Sequence, residues 1–241
     1  MITLFRDLFA PPRHMILLVL AAWIGLSLAE KRAERNGIHK DDLNSLTFYG
    51  LIAFIIGGRV SFALQNIPAF TKSPLSLFSI NPDLFDPIGA LATAFIASLV
   101  FGQRRRLSFW STLDALTPFF AILAAGLGLS HLAAGTAFGT PSDLPWAIDL
   151  WNASRHPTQI YESLASLFIF LLIWLKKHEP RPGILFLIYA ALTSGQHVFL
   201  QAFRGDGTLI LNGLRQNQIL AWVVSAVCFV LLESRMKQAQ S

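Results

Sequence analysis

Long apolar runs broken by short polar connections set the pattern of this chain. Seven can be drawn, at 15–29, 46–64, 87–101, 113–132, 160–175, 184–203 and 218–232. A helix needs about 20 apolar residues to cross a bilayer, so each run is a candidate span. The first and fifth are short and are predicted to extend into their flanks. Glycines, prolines and basic residues punctuate the runs, and no repeat, low-complexity tract or soluble domain interrupts them. The predicted fold is all-α: a polytopic membrane protein of seven transmembrane helices in one domain, 1–241.

Charge turns the pattern into a topology. Twelve of the 19 Lys and Arg residues fall after the first, third, fifth and seventh runs: Lys31, Arg32, Arg35, Lys40, Arg104, Arg105, Arg106, Lys176, Lys177, Arg181, Arg235 and Lys237. The opposite side holds Arg6, Arg13, Lys72, Arg155, Arg204 and Arg215 over far more chain. By the positive-inside rule the twelve are cytoplasmic, giving N-out and C-in. The first run follows Arg13 and His14 with no small-residue cleavage site after it, and it reads as a retained helix. The two long connections, 65–86 and 133–159, then lie outside, the second as a small head between helices 4 and 5.

Composition agrees. The 241 residues are 54% hydrophobic and only 14% charged, against about 25% charged in soluble domains. Mean hydropathy is +0.53. The net charge of +5 is spent in clusters between spans and does not point to nucleic acid. One cysteine, Cys228, lies within the last run, so neither a disulfide framework nor a cysteine metal site is expected.

Ionisable groups inside spans cost about 2.5–3.5 kcal/mol on insertion scales, which makes each exception a candidate. Arg59 stands in Gly57-Gly58-Arg59, where paired glycines permit close helix packing and the guanidinium offers a fork for phosphate. Snorkelling to headgroups is the alternative. Asp114 is expected to favour the N-terminal dipole of its own helix, with Pro118 one turn on. His131 and His197 lie near the outer ends of their helices. His156-Pro157-Thr158-Gln159-Ile160-Tyr161-Glu162 crowds polar groups at the mouth of the fifth helix, with Thr158 as the expected N-cap. Arg204-Gly205-Asp206-Gly207 closes the sixth helix. Arg59, Arg155, Arg204 and Arg215 make a sparse basic group suited to a phospholipid phosphate.

In their order these motifs resemble the prolipoprotein diacylglyceryl transferases of bacteria over nearly the whole chain. Gly57-Gly58-Arg59 follows the acidic Asp41-Asp42 start, and Asp114 with Pro118 comes next. Then follow Gly139-Thr140-Pro141-Ser142-Asp143-Leu144-Pro145-Trp146, the His156–Glu162 segment, Phe203-Arg204-Gly205-Asp206 and Gln218-Ile219-Leu220. The resemblance implies an inner-membrane enzyme with a periplasmic active face. It would move the diacylglyceryl group of phosphatidylglycerol, or act on another anionic phospholipid, with a prolipoprotein lipobox thiol as acceptor. Glycerol 1-phosphate leaves, and neither cofactor nor metal is used.

The resemblance further implies that Arg204 acts catalytically and that Arg59 binds phosphate. Gly139, His156, Gln159, Tyr161, Glu162 and Asp206 shape substrate binding. His131 and His197 are candidate bases on their imidazole chemistry alone. The chain departs from the family at Gly128, His131 and Thr136, where members carry Arg, Asn and Glu. It also departs at Phe85-Asp86-Pro87-Ile88-Gly89, near His14, and at His197 and Gln201. A lipid- or lipoprotein-binding protein on the same fold is therefore the second expectation. A transporter would want repeated halves with broken helices, and a histidine metal site would want tighter ligand spacing.

Overall fold

The computed structural model describes residues 13–72, 84–176, 181–210 and 214–237. Arg6, Lys177 and residues 73–83 of the 65–86 connection, which entered the reading above, lie outside them, as do the side chains of Arg13 and Lys72. Among the described residues seven helices are long and apolar enough to cross a membrane. They are α1 (Arg13–Ala33), α2 (Lys40–Gln65), α3 (Pro87–Arg104), α4 (Phe109–Ala134), α5 (Thr158–Leu175), α6 (Ile184–Leu200) and α7 (Gln216–Lys237). A 3-10 turn, Gln201–Phe203, continues α6, and a short helix, Ile67–Lys72, follows α2. Every predicted span is present, and most run a few residues into their polar flanks.

The chain divides into two compact units, 33–112 and the remainder. In the smaller unit α2 and α3 pair antiparallel along a seam of small residues. A Cβ on Gly57 would strike Thr93, one on Gly58 the Phe85 ring, and one on Gly89 the side chain of Ser61. Lipid supplies no hydrophobic drive between helices, so close backbone approach and van der Waals contact hold such a pair. The Arg105–Asp42 ion pair at one end is 3.7 Å and mostly exposed, and contributes little. Gly58→Ala is therefore expected to lose about 1–3 kcal/mol by overpacking. Gly102→Ala, where an added Cβ meets nothing, should leave the thermal unfolding midpoint in detergent near wild type. Equal midpoints for the two variants would contradict the seam.

In the larger unit α1 packs on α4, with Gly25 against Phe119 and Gly126 against Ala21. Ala121, Ile169, Ile173, Leu185 and Tyr189 form the core of α4, α5 and α6, flanked by Phe120, Phe170 and Phe186. Helix α5 is inside-out relative to a soluble helix. Gln159, Glu162, Ser163 and Ser166 are buried, whereas Leu164, Phe168, Leu171 and Leu175 are exposed as a stripe at helical spacing. Ile88, Trp222 and Phe229 are likewise exposed, so the apolar surface is on the outside, where lipid would meet it.

At one end of this unit Asp114 is 3% exposed. Its carboxylate accepts from Gly183 N (2.5 Å) and Phe186 N (2.8 Å). This corrects the expectation from sequence: Asp114 sits five residues into α4 and complements the N-terminus of α6, whose N-cap Gly183 has no side chain to offer. Arg32 performs the converse service, donating to Ile173 O and Trp174 O at the C-terminus of α5.

The opposite end carries the head. Its hairpin pairs β1 (Ile148–Leu150) with β2 (Ala153–Arg155), Ile148 opposite Arg155. Trp151 and Asn152 between them both have positive φ, the twist a two-residue hairpin turn demands. A second pair, β3 (Leu209–Ile210) with β4 (Leu214–Arg215), follows the 3-10 turn.

Candidate functional site

The head closes onto the end of α6 through backbone. Gly139 bridges Arg204, Thr140 N donates to Phe203 O (2.9 Å), and Gly205 N donates to Phe138 O (2.8 Å). Both glycines are required by proximity. A Cβ on Gly139 would strike the backbone and side chain of His156, and one on Gly205 would come within 2.6 Å of Gly139 O.

These strands aim Arg204 into the unit. Its Nη1 donates to Glu162 Oε1 at 3.1 Å, and its Nε to Asp206 Oδ1 at 2.8 Å with Nη2 to Oδ2 at 3.3 Å. The Arg204 side chain is only 15% exposed and that of Glu162 9%. Three residues read separately from the sequence, Glu162, Arg204 and Asp206, thus meet in one ion-pair network contributed by α5 and the loop after α6. His131 on α4 and His197 on α6 are each partly buried in the same unit.

The remaining mouth residues surround it. Thr158, expected as N-cap, is instead the first helical residue behind Pro157. Its hydroxyl is used elsewhere, donating to Ala137 O at 2.7 Å and tying α5 to the head. Gln159 is fully buried, its Nε2 donating to Thr136 O at 2.8 Å. Tyr161 OH accepts from Trp146 Nε1 at 2.7 Å. The His156 ring lies edge-on to Tyr161 and Phe203, 6.3 and 5.3 Å between centroids.

Two members of the expected basic group serve the scaffold. Arg155 donates to Leu150 O and Gly139 O and stacks on Phe138. Arg215 donates to Arg204 O and Ala202 O. Arg59 belongs to the smaller unit, where its Nη1 donates to Leu84 O at 3.1 Å. Two residues on, Asp86 N-caps α3 through Ile88 N and Gly89 N. The Ser61 hydroxyl, with help from those amides and Gln65 and against some burial, holds the Asp86 carboxyl below its ordinary range.

Gln201 was not among the site residues read from the sequence. It is 4% exposed, one turn beyond His197, a spacing that could have flagged it. Gly128 has no room for a side chain: a Cβ would strike Ser163 Oγ and lie 2.8 Å from Gln159 O. Ser163 Oγ donates to Ala125 O across the same crossing. Helices α4 and α5 are in contact where the resemblance would place an arginine. Among the described residues no three His, Cys, Asp or Glu side chains are placed to hold a metal ion.

Comparison with known proteins was made on this basis. The sequence model of the family described as prolipoprotein diacylglyceryl transferase matches residues 13–233. A phosphatidylglycerol–prolipoprotein diacylglyceryl transferase of Synechocystis sp. is 31% identical, over 88% of this chain and 81% of its own length. Its namesake in Thermosynechococcus vestitus is 29% identical over 88% and 84%. That of Finegoldia magna is 26% identical over 92% and 90%.

Proposed function

The chain belongs to the prolipoprotein diacylglyceryl transferase family, and on that premise we propose that it is a phosphatidylglycerol–prolipoprotein diacylglyceryl transferase. It works as one catalytic domain, 1–241, in the bacterial inner membrane, N-terminus out, with the head on the periplasmic face. The observation that carries the reading is the buried Glu162–Arg204–Asp206 network beneath that head.

The chemistry follows from what these groups can do. The lipobox thiol must become a thiolate to attack. His131 or His197 takes its proton, and Glu162 steadies the imidazolium that results. Sulfur then bonds to the glyceryl carbon esterified to phosphate, the carbon–oxygen bond breaks, and the electron pair leaves on glycerol 1-phosphate. Arg204 alone offers little net charge, because two carboxylates already face it. The proton moved from the thiol supplies the missing cation, so positive charge develops beside the phosphate as it departs. Gly139, His156, Gln159 and Tyr161 shape the entrance.

Expression of the intact chain in a strain depleted of its own transferase tests the proposal. Growth should be restored, and the His131→Gln/His197→Gln double variant should fail at matched membrane levels. A correctly inserted chain that never restores growth would overturn it. The second reading, a lipid-binding protein of the same fold, is favoured by the neutralised Arg204 and the closed position 128. It predicts phosphatidylglycerol retention with no glycerol phosphate released.

A further inference from the structure

Five buried side-chain atoms among the described residues have no hydrogen-bond partner, and four belong to the head end of the larger unit: His131 Nδ1, His156 Nδ1, Gln159 Oε1 and Gln201 Oε1. More than nine in ten buried polar atoms in proteins are paired, so four orphans in one region call for a cause. They are linked through neighbouring contacts. Gln159 Nε2 and the His131 carbonyl both bond Thr136. The His156 ring packs on Phe203, in the same 3-10 turn as Gln201. The Glu162–Arg204 pair joins the two sets, Glu162 one turn after Gln159 and Arg204 one turn after Gln201.

The atom types decide what would satisfy them. Gln159 is fully buried and Gln201 4% exposed. The Gln159 nitrogen is already spent on Thr136, which leaves its oxygen as a pure acceptor. An imidazole Nδ1 accepts when the proton sits on Nε2. Arg204 directs Nε, Nη1 and Nη2 at Asp206 and Glu162 and donates to none of the four orphans.

We infer that Gln159, Gln201, His131 and His156 form a hydrogen-bond-acceptor subsite that takes the O–H or N–H donors of a lipid headgroup. The inference rests on the transferase reading, which brings a phospholipid to this end, and adds what distinguishes one headgroup from another. The glycerol hydroxyls of phosphatidylglycerol and the ammonium of phosphatidylethanolamine share the required chemistry. The methyl ester of phosphatidylmethanol has the same phosphodiester charge and no donor.

The test uses the full chain in phosphatidylcholine nanodiscs doped with one of these three lipids, measuring retained lipid and, separately, transfer to a lipobox peptide. Phosphatidylglycerol should be retained about tenfold over phosphatidylmethanol, the scale of one lost hydrogen bond. Gln201→Leu should shrink that ratio without lowering phosphatidylmethanol retention, and Gln201→Glu should restore it. With that preference present, phosphatidylethanolamine retained at the phosphatidylglycerol level extends the subsite to N–H donors. Retention at the phosphatidylmethanol level confines it to hydroxyls. Equal retention of phosphatidylglycerol and phosphatidylmethanol by the unaltered chain overturns the subsite. If peptide transfer still proceeds, the proposed activity survives that result; preference without transfer has the opposite meaning.

Discussion

Arg204→Ala is expected to abolish growth support in the depleted strain and to lower peptide transfer at least about 100-fold, the scale of losing one preorganised charge-stabilising group. The cause is more than a missing cation. Arg204 binds Asp206 through two nitrogens and Glu162 through a third, and Glu162 is nearly inaccessible to solvent. Removing the guanidinium leaves a buried carboxylate unpaired, which costs about 3–5 kcal/mol where such pairs are broken. Lysine does not repair this, since one ammonium lacks the planar fork that serves both carboxylates. Arg204→Lys should therefore remain well below wild type, and the Arg204→Ala/Glu162→Gln double variant should recover folded protein but not transfer. Transfer by Arg204→Ala within tenfold of wild type would remove the residue from the mechanism.

Asp114→Ala should have the largest effect on stability and none of its own on chemistry, because the residue lies at the end of the unit away from the head. Its carboxylate is the only side-chain acceptor recorded for Gly183 N and Phe186 N. Losing a cap costs about 1–2 kcal/mol, and each buried donor left unsatisfied adds about 1–3. Thermal unfolding in detergent should rank wild type above Asp114→Asn above Asp114→Ala, since the amide keeps one acceptor oxygen. Lipid selectivity in the folded fraction should be unchanged. An unshifted midpoint for Asp114→Ala would show that water caps α6 equally well.

The two variants fall on opposite sides of what the sequence could disclose. The spans were legible because lipid-facing residues such as Leu164, Phe168 and Leu175 repeat the apolar signal that insertion requires. Arg204, Glu162 and His131 were legible as exceptions to it. Asp114 was visible too, but its partners lie 69 and 72 residues away, and no local rule connects them. The same holds for Gly128, whose packing against Gln159 and Ser163 is a property of two crossing helices. Thr158 carried a capping signature, but it begins the helix behind Pro157 and its hydroxyl donates to a tertiary acceptor, Ala137 O. Gln201 stood out in the sequence only as a departure from the family, and its burial is a property of the folded unit.

The α2–α3 seam bears on how the chain assembles as it is made. Its contacts join neighbouring helices, so pairing can follow as soon as the second emerges, with no later segment needed. Helix α1 pairs with a helix far along the chain. Its link from Ser130 to His14 spans 116 residues, and its small-residue contacts are with α4. The first helix to enter the bilayer must wait there while an already paired hairpin is completed, and its docking begins only when α4 arrives.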